Sequence, residues 1–158
     1  MRRKKAEVKA EGGSKGGRRE EKASGMMDGL KTRTREYGVR VVRFFASLPR
    51  SAEAQVLGKQ LLRSGTSVGA NFREAVRARS RSEYATKLNI GLMELEETSY
   101  WLELLEGAGI KNGTAGERLR QETEELTAIF VSLIKRAREE VRRQKEEGRG
   151  ERQKEGQK

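Results

Sequence analysis

LGKQLLRSGTSVGANFREA, residues 57–75, predicts a helix with three distinct sides. At 100° per residue its large apolar positions share one face, which is typical of a helix packed into a protein core. A flank of that face carries three glycines, and the sector opposite the apolar face carries long cations. The apolar side comprises Leu57, Leu61, Val68, Phe72 and Ala75, the glycine side Gly58, Gly65 and Gly69, and the cationic side Lys59, Arg63, Arg73 and Arg77.

The glycines need a structural reason, because each glycine inside a helix costs about 1 kcal/mol relative to Ala. We expect another helix to pack closely against them, either within one chain or across a subunit interface. The alternative is a kink, for which Gly65-Thr66-Ser67 would be the place. Gly91, in the next helical segment, needs the same explanation.

Three further amphipathic segments flank this one, and no segment alternates polar and apolar residues with a period of two. Ser51 is the expected N-cap of the quoted helix, and Ser80-Arg81-Ser82-Glu83 has the capping-box pattern of the next. We therefore predict an all-α, antiparallel up-down four-helix bundle over residues 31–146. The expected helices run from about Thr32 to Ser47, Ala52 to Arg79, Ser80 to Gly107 or Gly109, and Thr114 to about Lys145.

The composition argues against several classes of function. The 158 residues include no His and no Cys, which removes disulfides, thiolate or imidazole metal sites, and catalytic triads. No apolar run reaches the roughly 18 residues of a membrane span. We therefore expect a cytoplasmic protein that is not an enzyme and needs no cofactor.

Both ends of the chain lack the apolar pattern. Residues 1–30 and 147–158 are rich in Gly, Lys, Arg and Glu and hold few large apolar side chains. Such segments cannot bury enough surface to offset chain entropy, so we expect a disordered basic N-terminal tail and a disordered C-terminal tail. Met26 and Met27, just before the first patterned segment, leave an alternative translation start open.

The formal net charge of +11 is unevenly distributed. Residues 36–90 hold 10 Lys and Arg against 4 Asp and Glu, whereas residues 91–140 hold 6 against 11. This polarity suits either an anionic partner or self-association through complementary faces. The alternatives to phosphate binding are that the cations are solvated, or that they pair with the Glu-rich helix 3 of another subunit. The candidate nucleic-acid-binding residues are Lys59, Arg63, Arg73, Arg77, Arg79 and Arg81, with Arg40 and Arg43 nearby.

Two features of helix 3 have competing explanations. Tyr100 and Trp101 lie off its leucine line, so they are candidate anchors of an oligomer interface or are packed against helix 4. Glu94 and Glu97 lie one turn apart and could contribute to a di-metal site. Such a site normally includes His, so pairing of these glutamates with Arg residues such as Arg63 or Arg73 is the expected role, and no metal site is predicted.

The segment quoted first resembles the bacterial four helix bundle proteins, the 23S rRNA intervening-sequence proteins. The similarity continues through Arg79-Ser-Arg-Ser-Glu-Tyr84 to Trp101-Leu-Glu-Leu-Leu105 and covers roughly residues 33–137. It implies an up-down bundle that assembles into a homopentameric ring with a basic surface, for which nucleic-acid binding is generally inferred. The family is in turn distantly similar to the accessory proteins of diversity-generating retroelements, which associate with a reverse transcriptase and RNA.

The sequence thus favours a homo-oligomeric bundle that binds RNA or DNA through backbone phosphates. Base stacking has little support, because aromatic residues are scarce on the cationic side. The alternative is an oligomeric protein-interaction scaffold, or an accessory subunit of a nucleic-acid enzyme, without direct nucleic-acid contact. A carboxylate metalloenzyme at Glu94 and Glu97 ranks last.

Overall fold

The computed structural model describes residues 15–110 and 113–155, and this part of the chain forms four α-helices and no strand. The all-α prediction is confirmed. The helices are α1 (Lys15–Ala46), α2 (Ala52–Val76), α3 (Arg81–Gly107) and α4 (Thr114–Glu155).

Consecutive helices run antiparallel. Between α2 and α3, Arg63 pairs with Glu97 while Glu74 pairs with Lys87, so the residue numbers run in opposite directions. The same inversion holds between α3 and α4, and α4 closes the bundle by packing on α1 along a less extensive seam. The corresponding pairs are Arg81 with Glu140 and Arg120 with Glu106 between α3 and α4, and Arg33 with Glu122 between α1 and α4.

Serine caps set two of the helix starts. The hydroxyls of Ser51 and Ser80 accept hydrogen bonds from the amides of Ala54 (3.3 Å) and Glu83 (3.1 Å), as the sequence predicts. The Glu83 carboxylate in turn accepts from the backbone N–H of Arg79 at 2.8 Å. Because these bonds hold the chain in a turn before α3, α2 ends at Val76 rather than at Arg79.

Glycine sets the end of α3. Gly109 has a φ of +66°, which is costly for residues with a side chain. The amide of Ile110 donates to the carbonyl of Leu105 at 3.0 Å, and the amide of Gly109 donates to the carbonyl of Glu106 at 2.9 Å. This is a Schellman motif, and Ile110 packs against the core beside it.

The glycine side of α2 packs against α1. A Cβ built on Gly65 would lie 2.7 Å from the Val41 side chain, and one on Gly58 would lie 2.6 Å from the Leu48 side chain. The expected close packing is confirmed, it lies within one chain, and α2 is one uninterrupted helix through this segment. In the same way Gly69 faces the backbone of Thr34, and Gly91 faces Phe130 on α4.

A layer of hydroxyl groups crosses the apolar core, one from each helix. The Tyr37 hydroxyl lies 2.8 Å from that of Thr123, and the Thr98 hydroxyl lies 2.9 Å from that of Ser64. Burial raises the pKa of Tyr37 to about 12, against hydrogen bonds from Thr123 and Thr98 that lower it. Ser64, Thr98 and Thr123 also lie within hydrogen-bond distance of carbonyls of their own helices, so sliding one helix by a turn would leave chiefly the buried Tyr37 hydroxyl unpaired. The layer therefore favours a single register.

The outer helix boundaries differ from the sequence prediction. α1 begins at Lys15 rather than near Thr32, and α4 continues to Glu155 rather than ending near Lys145. Part of each segment expected to be disordered is therefore helical. Leu30 is already buried and Met27 packs partly against the core, so both help hold α1 in the bundle. The Lys, Arg and Glu residues further out have good helix propensity, although residues 15–29 also include four glycines. Residues 1–14 and 156–158 of the expected tails lie outside the described residues.

Candidate nucleic-acid interface

The structure divides the six candidate cations into two groups. Arg63 and Arg81 form ion pairs within the chain. The side chains of the other four form no ion pair with any described residue, and all four residues are exposed. The unpaired group consists of Lys59, Arg73, Arg77 and Arg79.

Arg63 is engaged at the seam between α2 and α3. Its Nη2 lies 2.5 Å from Oε1 of Glu97, which also accepts the indole N–H of Trp101 at 3.1 Å. Burial raises the pKa of Glu97, but the hydrogen bonds from Trp101 and Arg63 and the charge of Arg63 outweigh burial, so the net shift is downward. Glu97 is therefore ionised at neutral pH. The pairing expected with Arg63 is confirmed for this glutamate, whereas Arg73, the other expected partner, forms no ion pair with any described residue.

Arg81 links α3 to α4. Its Nε lies 2.8 Å from Oε2 of Glu140, and its guanidinium carbon lies 5.6 Å from the centre of the Tyr84 ring. The ion pair and the cation–π contact together restrain the side chain. Arg81 therefore mainly stabilises the contact between α3 and α4 and is less available to a phosphate than Arg79.

The unpaired group forms a row rather than a pocket. Lys59 and Arg73 lie along the exposed side of α2, Arg77 is its C-cap, and Arg79 lies in the turn that follows. Lys59 and Arg77 are 18 residues apart (59 to 77), which is about 27 Å at 1.5 Å per residue. A row of this length matches a chain of phosphates better than a single anion.

Sequence reasoning missed Arg35. It lies with Arg43 and Arg73 along a groove between α1 and α2, and none of the three pairs with an acid among the described residues. The signal was present in the helical wheel of α1, where Arg35, Val39 and Arg43 fall opposite the buried side. It becomes informative only when α2 is known to lie beside α1.

The two aromatic residues proposed as interface anchors have different environments. Tyr100 is 51% exposed, and its ring meets the Trp101 ring edge-on at 5.0 Å between centres. Trp101 is partly buried against the core and is bound to Glu97. Tyr100 therefore offers surface to a partner, whereas Trp101 mostly stabilises its own chain.

Glu94 and Glu97 have opposite electrostatic environments. Oε2 of Glu94 is buried without a hydrogen-bond partner, and burial raises the pKa of this carboxyl although the charge of Arg63 lowers it. Within the described part of the chain, no group of three or more potential metal ligands is arranged to hold an ion. Nor is any of the described helices long and apolar enough to cross a membrane.

The model of the 23S rRNA-intervening sequence protein family matches residues 30–132. The chain belongs to this family. In this 23S rRNA-intervening sequence protein the matched range starts at Leu30, the first buried side chain described, and ends within α4. It includes all six candidate cations and the two candidate interface residues, Tyr100 and Trp101.

A solved relative supports both family and fold. It is a protein of unknown function from the S23 ribosomal protein family of Bacteroides thetaiotaomicron VPI-5482, known from a crystal structure. The TM-score is 0.64 and the identity 39%, over 69% of this chain and 97% of that one. No curated protein matches the chain significantly.

Proposed function

We propose that this chain is a non-enzymatic, homo-oligomeric four-helix-bundle protein of the cytoplasm that binds RNA or DNA through backbone phosphates. The observation that carries the proposal is the row of four exposed, unpaired cations on α2 and the turn after it. A pentameric ring, which the family resemblance implies, would repeat this row around its circumference.

Phosphate contact fits the chemistry of the row. Arg and Lys bind phosphate oxygens without reading the bases, and the counterions that they release make affinity fall with salt. The one aromatic residue between Lys59 and Arg79, Phe72, is buried in the core and cannot stack a base. The binding should therefore depend on charge and spacing more than on sequence.

The test is a salt titration of RNA and DNA binding by the full chain. The logarithm of the affinity should fall linearly with the logarithm of salt, with a slope of about 0.7 to 0.9 per phosphate neutralised. Replacing the four unpaired cations by Gln should flatten the slope by about the amount expected for four contacts. Helicity measured by circular dichroism checks that the variant is folded.

A matched control distinguishes these contacts from net charge. Arg50 and Arg118 are exposed, have no ion pair with a described residue, and lie at the opposite end of the bundle from Arg77 and Arg79. The Arg50→Gln/Arg118→Gln double variant should keep the wild-type slope. The Arg77→Gln/Arg79→Gln double variant should flatten the slope by about the amount expected for two phosphate contacts. Equal losses in both doubles would contradict a defined site on α2.

The second candidate function is an oligomeric scaffold or accessory subunit for a nucleic-acid enzyme. The observation that favours it is the engagement of Arg63 and Arg81 by Glu97 and Glu140, which removes two of six candidate contacts. A folded chain that binds neither RNA nor DNA at physiological salt would support this function over the first.

A further inference from the structure

The outward side of α3 carries an exposed apolar ridge. Ile90, Met93 and Tyr100 are 38%, 60% and 51% exposed, and the partly buried Leu104 continues the line. Successive members of the ridge are three, seven and four residues apart, and Glu97 lies within the seven-residue interval. This is the spacing of a heptad seam, in which apolar residues face another helix. No described element of the same chain covers the three exposed members.

The ridge is flanked by negative charge. Residues 91–107 contain five Glu and no Lys or Arg. Two of these acids, Glu96 and Glu103, are exposed beside the ridge and form no ion pair with any described residue. The ridge therefore exposes apolar side chains, and the carboxylates beside it form no ion pair with any described residue.

The groove between α1 and α2 has the opposite charge. Its cavity is about 530 Å³, and Val39 and Val42, exposed by 43% and 48%, lie along it. Its charged lining residues are Arg35, Arg43 and Arg73, none of which pairs with a described acid. No Asp or Glu lines the groove. Apolar surface and unpaired cations thus occur together on this side of the bundle.

We propose that the α3 ridge of one copy docks into the α1–α2 groove of a second copy of this chain. The proposal rests on the self-association included in the proposed function and assigns its two surfaces. A second copy fits better than nucleic acid, because exposed valines gain nothing from phosphates but would be buried by Met93 and Tyr100. Glu96 and Glu103 would meet groove arginines that are otherwise unpaired.

Because ridge and groove are different surfaces, the contact is head-to-tail. Each copy would use its ridge toward one neighbour and its groove toward the other, which generates a closed ring if the rotation closes and a filament otherwise. Lys59, Arg77 and Arg79 do not line the groove, so they would remain available for phosphates. Arg73 alone belongs to both surfaces, and it is left unchanged in the experiment below.

The experiment compares the masses of two full-length variants by light scattering, after nuclease treatment and removal of nucleic acid. Met93→Glu/Tyr100→Glu disables the ridge, and Val39→Glu/Arg43→Glu disables the groove. Each variant alone should be monomeric, whereas the wild type is an oligomer. An equimolar mixture should form a dimer, because one intact ridge meets one intact groove. Val56→Glu, at a valine that is 62% exposed but outside both surfaces, should keep the wild-type mass.

Charge reversal gives a second, milder route should a double variant fail to fold. Glu96→Arg/Glu103→Arg and Arg35→Glu/Arg43→Glu should each reduce the oligomer mass, and mixing the two should restore part of it. A monomeric wild type, variants that keep the wild-type mass, or a mixture that stays monomeric would each overturn the proposal.

Nucleic-acid affinity is measured separately on the same variants, so the docking proposal and the phosphate-binding proposal can fail independently. If the groove variants lose RNA or DNA affinity at an unchanged oligomer mass, the groove is a nucleic-acid surface and the docking proposal is wrong. If no nucleic acid binds but the variant mixture forms a dimer, the docking proposal stands and the phosphate proposal fails.

Discussion

The two seams of α2 are built differently. Toward α1, three glycines let bulky side chains approach closely, and no ion pair crosses this seam among the described residues. Toward α3, Arg63 pairs with Glu97, Lys87 pairs with Glu74, and two buried hydroxyls meet. The first seam therefore depends on shape, and the second combines packing with polar pairs.

This difference determines which cations remain free. Where α2 meets the acidic helix α3, the cation nearest the seam is neutralised within the chain. Where α2 meets α1, no acid lies in the groove, and Arg35, Arg43 and Arg73 keep their charge unpaired. The basic surface of the molecule thus lies toward α1. Substitutions that act on one seam only can test this difference between the two seams.

The largest effect is expected from filling the shape-dependent seam. Gly65→Leu places a Cβ within 2.7 Å of Val41, a stiff β-branched side chain, so α1 must move. We expect a loss of about 3 kcal/mol or more in the free energy of unfolding, at the upper end of overpacking costs. Urea unfolding measures it, and Val41→Ala in the same chain should restore part of the loss.

Gly38 provides the matched control for this substitution. It lies inside α1, and a Cβ there would meet nothing within 4 Å. Gly38→Ala should stabilise the protein by roughly 0.5 to 1 kcal/mol through helix propensity alone. A Gly65→Leu protein as stable as wild type would mean that α1 does not pack on α2 as described.

An intermediate effect is expected from the polar seam. Thr98→Val keeps the shape but removes a hydroxyl that lies 2.9 Å from Ser64 Oγ and 2.7 Å from the carbonyl oxygen of Glu94. We expect a loss of about 1 kcal/mol in unfolding free energy, because Ser64 keeps its bond to the carbonyl of Gln60. Thr66→Val, at an exposed position of α2, should change stability by less than about 0.5 kcal/mol. Equal effects of the two substitutions would argue against the hydroxyl layer.

The fold was predictable because its strongest signals are local. Periodic leucines, the Ser51 and Ser80 caps and the glycine side of α2 each act within a few turns of one helix. The outer limits of α1 and α4 were not predictable from burial patterns. Residues beyond the bundle bury little, so the apolar pattern gives no signal there, and their helicity continues the turns already formed next to them.

The candidate site was only half predictable. Helical periodicity predicted one exposed sector of α2 for Lys59, Arg63, Arg73 and Arg77; all four are exposed, but Arg77 lies just beyond the helix. It could not tell that Glu97 reaches Arg63 while Arg73 stays unpaired, since that depends on the register between α2 and α3. Arg35 and the apolar ridge of α3 likewise became visible only once neighbouring helices showed which sides stay uncovered.

The smallest effect is expected from two glutamates one turn apart, and it depends on pH. The pKa of Glu97 is lowered in the fold, so its stabilisation is present above the unfolded value of about 4.5 and is lost as the pH falls below it. The pKa of Glu94 is raised, so this carboxyl favours the fold when protonated and that contribution is lost as the pH rises above 4.5. At neutral pH, the Tm of Glu94→Gln should therefore be higher than that of wild type, and the Tm of Glu97→Gln should be lower.

The two Tm values should converge toward wild type as the pH falls below 4.5, because protonation removes the charge difference, at Glu94 first and at Glu97, whose pKa is lowered, last. Glu124→Gln, at an exposed position of α4 that forms no ion pair with a described residue, should stay within error of wild type throughout. A Glu94→Gln protein that is destabilised at neutral pH would show that the buried carboxylate has a partner in solution. Glu97→Gln without effect would mean that the Arg63 pair contributes nothing, and Arg63 would then be as available to phosphate as its unpaired neighbours.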